Sequence, residues 1–188
     1  YFIGNKYGYT SIFSINKNGN ETEEVVLEGE SSDEFESFHF FRTGLDISKD
    51  GKLAFVTQKG ERDAIHIMDL NSHEVEIDYS FNSVVGIGTP TWSPDGKRLA
   101  FQVMEETGKN DIYILERESN SVTRLTNDFY DDRDPDFSPD GNYIVFSSDR
   151  TPFGNDNRYN LFLYDLRNDE ILQLTNGDFT DYSPQFSP

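Results

Sequence analysis

The sequence predicts an all-β fold, a β-propeller, and three observations carry that prediction. A turn motif recurs at a fixed spacing, short apolar runs recur in step with it, and the aromatic content is high, with 16 Phe, 10 Tyr and 1 Trp in 188 residues. Aromatic side chains suit pleated, half-buried surfaces. Ser93-Pro94-Asp95-Gly96 returns as Ser138-Pro139-Asp140-Gly141, a step of 45 residues; the variant Ser48-Lys49-Asp50-Gly51 lies one such step earlier, and Ser187-Pro188 opens another copy. Proline pre-sets φ at the second position of a type I turn, and Asp and Gly suit the two positions that follow, so each copy is a hairpin signal.

Each turn is followed by an apolar run, expected as a second strand: Leu53 to Val56, Leu99 to Phe101 and Tyr143 to Phe146, with Tyr1-Phe2-Ile3 aligned to the same slot. Third strands are expected at Ile12 to Ile15, Ile65 to Met68, Ile112 to Leu115 and Leu161 to Tyr164. Fourth strands are expected at Val25 to Leu27, Val75 to Ile77, Arg124 to Thr126 and Gln173 to Thr175. Four short antiparallel strands in a unit of this length make a propeller blade, whose faces must be covered by its neighbours. The expected blades are approximately 1–44 (lacking a first strand), 45–88, 89–133 and 134–182, with 183–188 as the first strand of the next or closing blade. The near-continuous apolarity of the second and third strands fits burial on both faces, and Phe55, Phe101 and Phe146, in one slot, are expected between blades. The chain starts without Met and stops within the motif at Pro188, so an excerpt of a larger propeller is expected; closure into a four-bladed ring is the alternative. The stretch 28–44, acidic and carrying Phe35, Phe38, Phe40 and Phe41, reads as a long connecting loop, with a partner-binding insertion as the other reading.

Composition excludes several functions. Sixteen basic against thirty-five acidic residues give a net charge of −19, which repels nucleic acid and anionic lipid. No cysteine is present, so disulfides, thiolate metal sites and cysteine nucleophiles are absent. No apolar run has the length of a membrane span. No Gly-x-Ser-x-Gly elbow, His-Glu-x-x-His or phosphate-binding loop occurs, and Gly86-Ile87-Gly88 lacks the third glycine and the helix of a dinucleotide fingerprint. Neither an enzyme nor a cofactor is expected. His39, His66 and His73 have no metal-pair spacing. Asp132-Arg133-Asp134-Pro135-Asp136 begins like an EF-hand loop, but Phe137 replaces the required Gly and Tyr143 the bidentate Glu.

The run Thr89-Pro90-Thr91-Trp92-Ser93-Pro94-Asp95-Gly96-Lys97-Arg98-Leu99-Ala100-Phe101, followed by Asp111-Ile112-Tyr113-Ile114, Arg124-Leu125-Thr126-Asn127 and Pro135-Asp136-Phe137-Ser138-Pro139, resembles the repeat of TolB-like propellers, and the resemblance covers nearly the whole chain. It departs from the pattern in the second repeat, with Lys49 for Pro, one residue fewer before the strand, and Leu45 where the others carry Pro90, Pro135 and Pro184. The resemblance implies a periplasmic or secreted setting in a bacterial envelope and a propeller that binds a protein or peptide without catalysis. Similar repeats also form the gating propellers of prolyl-oligopeptidase-like and tricorn-like serine peptidases, which leaves that role, with a catalytic domain outside this chain, as the alternative; a purely structural stack is a third. In propellers of this kind the loops that enter first strands approach the channel. Asp132 and Asp181, each three residues before a proline, are therefore expected either to form a negative ring for a cation or a Lys/Arg side chain, shaped by Tyr130, Arg133, Phe179 and Tyr182, or simply to hydrogen-bond loop N–H groups.

Overall fold

The structure, a computed structural model, describes residues 1–6, 8–18, 23–29, 44–59, 62–81, 84–154 and 157–187. The described residues form fifteen strands: β1 (Phe2–Lys6), β2 (Tyr9–Ser14), β3 (Glu24–Leu27), β4 (Asp46–Ile47), β5 (Lys52–Lys59), β6 (Arg62–Asp69), β7 (Val75–Ser80), β8 (Val84–Trp92), β9 (Arg98–Glu105), β10 (Asn110–Glu116), β11 (Ser121–Arg124), β12 (Asp132–Phe137), β13 (Tyr143–Ser148), β14 (Asn160–Asp165) and β15 (Glu170–Gln173). They pair as four antiparallel meanders, β1-β2-β3, β4-β5-β6-β7, β8-β9-β10-β11 and β12-β13-β14-β15. These are propeller blades, and among the described residues the first has three strands. Of the Phe-rich connection 28–44 singled out in the sequence, residues 30–43, with all four of its Phe and His39, lie outside the described residues.

The turn motif builds one end of every complete blade. The glycine N–H donates to the serine carbonyl in Gly51→Ser48 (3.0 Å), Gly96→Ser93 (2.8 Å) and Gly141→Ser138 (2.8 Å). The glycines sit at φ of +78°, +70° and +69°, a left-handed conformation that glycine adopts without a Cβ penalty. The serine hydroxyl donates to the turn aspartate and accepts the N–H that restarts the chain, as in Ser93 Oγ to Asp95 (2.6 Å) and Arg98 N–H to Ser93 Oγ (2.9 Å). The shorter second repeat keeps this design, with Lys52 N–H on Ser48 Oγ at 2.9 Å. Adjacent turns also touch: Arg98 donates to the Gly141 carbonyl at 2.8 Å and Arg117 to Asp50 at 2.7 Å.

Two fourth strands lie earlier than their sequence suggests, β11 ending at Arg124 and β15 at Gln173. Leu125 and Thr126 N–H both point at one carbonyl, that of Ile112, and Leu174 and Thr175 both at that of Leu161. Thr126 Oγ1 accepts the Ile112 N–H and Thr175 Oγ1 that of Leu161. The Leu-Thr pair therefore marks where the chain leaves the ladder, because the threonine hydroxyl substitutes for the next ladder partner.

The apolar core lies between blades. Ile12 meets Leu53, Phe55 and Met68; Ala54, Val56, Ile65 and Ile67 meet Trp92, Leu99, Phe101 and Val103; Ala100, Ile112 and Ile114 meet Phe137, Ile144, Phe146 and Phe162. Phe55, Phe101 and Phe146 are each fully buried, worth about 1.5–3 kcal/mol apiece in apolar transfer. His66 belongs to this core, stacked on Phe55 and bonded through Nε2 to Thr57 Oγ1 at 2.8 Å, while His73 is an exposed turn residue at φ +59°.

Because each blade is a meander, its loops alternate between two ends. The Ser-x-Asp-Gly turns and the turns between third and fourth strands form one face, the turn face. The loops between second and third strands and the links to the next blade form the other, the connecting face.

Candidate functional site: the blade axis and the connecting face

Innermost strands β4, β8 and β12, continued by residues 183–187, stand side by side around a cavity of about 260 Å³. Its lining is one tripeptide position in four copies: Gly44-Leu45-Asp46, Thr89-Pro90-Thr91, Asp134-Pro135-Asp136 and Ser183-Pro184-Gln185. β8 and β12 lose register here, between Gly88 and Thr91 and between Arg133 and Asp136, and Thr89, Asp134 and Ser183 take φ of +45°, +53° and +50°. A bulge re-aims side chains and breaks pairing. Here it frees the backbone from the ladder so that cross-blade bonds replace it.

Those bonds run from each blade to the next. Asp46 accepts the Trp92 N–H at 2.6 Å, Asp136 accepts the Phe186 N–H at 2.7 Å and the Thr91 hydroxyl at 3.2 Å, and Asp134 accepts the Ser183 N–H at 3.1 Å. Gln102 Oε1 receives the Thr89 hydroxyl and the Asp134 N–H, both at 3.1 Å. Three carboxylates thus face one cavity whose lining contains no Lys, Arg or His among the described residues. Burial pushes the Asp46 carboxyl up, hydrogen bonds from Trp92 and Ile47 oppose it, and the charge of Asp136 adds to it. Such a lining favours a cation or a basic side chain by Coulomb attraction in a partly dehydrated space.

Asp132 and Asp181 are equivalent in the repeat, and neither lines this cavity. Asp132 is fully buried, with Arg150 Nη2 at 2.6 Å, and burial, against that guanidinium, pushes its carboxyl up to about 6. Arg150 also reaches Asp128 at 3.1 Å and lies over the rings of Tyr130, Phe146 and Phe162. Asp181 accepts the Thr175 hydroxyl at 2.6 Å, and its N–H donates to the Tyr159 carbonyl at 2.8 Å. Both carboxylates therefore tie down the loops that precede innermost strands. Those loops present Tyr130, Phe179 and Tyr182, with Phe129 beside them at 94% exposure, on the connecting face.

Arg133 stands on the same face, anchored by Asp131, a carboxylate that the sequence reading passed over. Asp131 is nearly buried and accepts from Asn110 N–H (3.0 Å), Asn110 Nδ2 (2.7 Å), Tyr159 Oη (2.8 Å), Arg133 Nε (3.1 Å) and Arg133 Nη2 (2.6 Å). Burial works to raise its carboxyl, and the donors from Arg133, Asn110 and Tyr159 outweigh it and hold it below the usual range. The cavity positions 46, 91, 136 and 185 also escaped the sequence reading. A signal existed, since each precedes the hydrophobic residue that leads into a turn serine and three are preceded by proline, but the residue types differ. Among the described residues no group of His or carboxylates has metal-site geometry, and no helix is long and apolar enough to cross a membrane.

A family model described as the TolB beta propeller domain matches residues 45–155. The Tol-Pal system protein TolB of Alcanivorax borkumensis is 32% identical over 112 residues, covering 57% of this chain and 25% of that protein. The crystal structure of TolB from Acinetobacter baumannii superposes with a TM-score of 0.69 at 26% identity, over 90% of this chain and 39% of that chain. A prolyl endopeptidase structure shares the fold, with a TM-score of 0.60 at 16% identity over 90% of this chain and 26% of that one. The chain thus spans a quarter of the Alcanivorax relative and well under half of the Acinetobacter structure.

Proposed function

Because the chain belongs to the TolB beta propeller domain family, we propose that it is a non-enzymatic scaffold that binds a protein or peptide partner in a bacterial cell-envelope, periplasmic setting. The partner lies on the connecting face against Tyr130, Phe179 and Tyr182, on loops that Asp132 and Asp181 tie down, with the anchored Arg133 beside them, while a basic side chain or a cation occupies the cavity at Asp46, Asp134 and Asp136. The observation that carries this reading is the fourfold recurrence of one lining position around an acidic cavity. The Alcanivorax relative, named for the Tol-Pal system, favours the envelope setting. The likeness to a prolyl endopeptidase, at 16% identity, speaks to fold alone and lends the gating alternative no separate support.

The test uses the parent polypeptide and a short lysine peptide as probe. Asparagine keeps an acceptor oxygen for the Trp92 and Phe186 N–H groups while removing charge. The double variant Asp46→Asn/Asp136→Asn is expected to bind the lysine peptide roughly tenfold more weakly at low salt, with melting little changed. Undiminished binding in that variant sinks the cavity as the cation site.

A further inference from the structure

We propose that Arg133 is a carboxylate-binding subsite at the connecting face, fitted to an acidic side chain or C-terminal carboxylate of a peptide. This rests on the docking face proposed above, and it adds an anion to a reading so far built on cations.

An arginine carries five N–H donors in a planar fork. Arg133 spends Nε and one Nη2 hydrogen on the two oxygens of Asp131, at 3.1 and 2.6 Å. That side-on pairing leaves Nη1 and the second Nη2 hydrogen, which together make a second edge of the fork, pointing away from Asp131. No partner for that edge exists among the described residues, and the side chain is 41% exposed. The plane is braced, since the guanidinium lies over the Tyr159 ring at 4.9 Å and Asp131 is bonded in turn by Asn110 and Tyr159. Blades three and four both contribute, and Lys109 and Asp149 brace the junction, with Asp149 accepting the Asp131 N–H at 2.8 Å. A pre-organised fork loses little side-chain freedom on binding a bidentate anion.

Among the described residues no other arginine leaves a whole edge of a side-on-anchored fork free; Arg98 donates to the Gly141 carbonyl and lies over Phe137. Arg150 is almost enclosed and holds two aspartates. Arg117 bridges Asp50 and Glu76, and Arg124 bridges Asp111 and Glu105. Arg167 comes nearest, pairing side-on with Asp165 through Nε and Nη2, both at 3.3 Å, and lying over the Tyr143 ring, but its second Nη2 hydrogen is spent on the Tyr143 hydroxyl. Arg158 is exposed but meets Asp178 through Nε alone, at 3.0 Å.

The ligand class follows from the surroundings. Arg133 adjoins Asp134, which faces the acidic cavity, and the whole chain carries a charge of −19. A multiply charged anion such as phosphate is repelled there more strongly than a single carboxylate. Tyr130 and Phe129, both exposed, offer apolar contact to the chain carrying that carboxylate. The favoured ligand is a peptide segment with an acidic group at the rim and a basic group toward the cavity.

The experiment measures binding of two synthetic peptides, acetyl-Glu-Gly-Gly-Lys-amide and its Gln counterpart, to the parent polypeptide by chemical-shift titration. The Glu peptide is expected to bind roughly tenfold more tightly than the Gln peptide, since a charge-assisted bidentate bond is lost in the latter. That preference disappears in Arg133→Gln and is reduced in Arg133→Lys, both checked for intact folding, and it survives Asp46→Asn/Asp136→Asn. If the preference stands while the lysine contributes nothing, the rim site holds and the cavity reading fails. Equal binding of the two peptides to the unmodified protein, binding of neither, or an undiminished preference in Arg133→Gln overturns the assignment, as does inorganic phosphate shifting the Arg133 side-chain signals more strongly than acetate does.

Discussion

The two faces of the blade stack are built from the same aspartates put to opposite use. On the turn face, carboxylates collect local donors. Ser93 beside Asp95 holds that carboxyl below its ordinary range, and Ser138 beside Asp140 and Arg167 beside Asp165 hold theirs down to about 2. Toward the connecting face, burial raises Asp111 and takes Asp132 up to about 6 against the guanidiniums that pair with them, while Asp131, with its donors from Arg133, Asn110 and Tyr159, stays below the usual range. The turn face also repeats, with Leu70, Arg117 and Leu166 N–H groups each donating to the neighbouring turn, on Gly51, Lys97 and Asn142. The connecting face does not repeat: Asp131 has its cluster, Asp132 has Arg150, and Asp181 has only Thr175 and a backbone contact. Regularity belongs to the face that holds the blades in register, and individuality to the face proposed to meet a partner.

The comparison breaks most visibly under truncation of aromatics. Phe101→Ala, in the fully buried layer between the second and third blades, is expected to cost roughly 3–5 kcal/mol through lost transfer energy and the cavity left behind. Phe129→Ala, at 94% exposure on the connecting face, is expected to change stability by less than about 0.5 kcal/mol. Urea unfolding of both variants checks this. A large loss from Phe129→Ala would mean that the connecting face is part of the core rather than a surface offered outward.

Proton linkage gives the next largest effect. Asp132 has a folded pKa above its unfolded value, so the folded state holds its proton longer, and this carboxyl's contribution to stability falls as pH rises from about 4 to about 6. The turn aspartates behave oppositely: their folded pKa values are depressed, so their contribution is present above about 4 and is lost as pH falls toward about 2. Asp132→Asn is therefore expected to remove a decline on the order of 1–3 kcal/mol between pH 4 and 6 while leaving the acid limb intact. Arg150 retains Asp128 at 3.1 Å in that variant. A stability profile between pH 4 and 6 that is the same with and without the substitution would show that Arg150 already neutralises the penalty of burial.

This division also explains what could be read from the chain alone. The turns, the second and third strands and the shared Phe slot were legible because each depends on neighbours within a few residues, as when Ser93, Asp95 and Gly96 close one turn. The outer strands ending at Arg124 and Gln173 were misplaced because Leu-Thr looks like strand, and only the carbonyls of Ile112 and Leu161 show that it is the exit. Around the cavity, Asp46 bonds Trp92 and Asp136 bonds Phe186, partners 46 and 50 residues away in sequence. No local pattern encodes such pairs, and the varied identities Asp46, Thr91, Asp136 and Gln185 conceal a shared position. Asp132 and Asp181 were recognisable as equivalents, but the burial of Asp132 under Arg150 depends on an arginine that the other blades do not repeat.

The smallest effect sharpens the comparison by testing whether the turn face is a true repeat. Ser93 and Ser138 each accept the N–H that restarts the chain, from Arg98 at 2.9 Å and Tyr143 at 3.0 Å, and each donates to its own turn aspartate at 2.6 Å. Replacing either by alanine removes the same bonds, so Ser93→Ala and Ser138→Ala are each expected to lower stability by about 1 kcal/mol. The two sites share no partner, so the double variant is expected to equal the sum to within about 0.5 kcal/mol. Thermal and urea unfolding of the two single variants and the double variant provides the measurement. Unequal single effects would show that Arg98, which also reaches across to the Gly141 carbonyl at 2.8 Å, makes the third blade's turn more than a copy. A double variant weaker than the sum would show that adjacent turns reinforce one another through that same bridge.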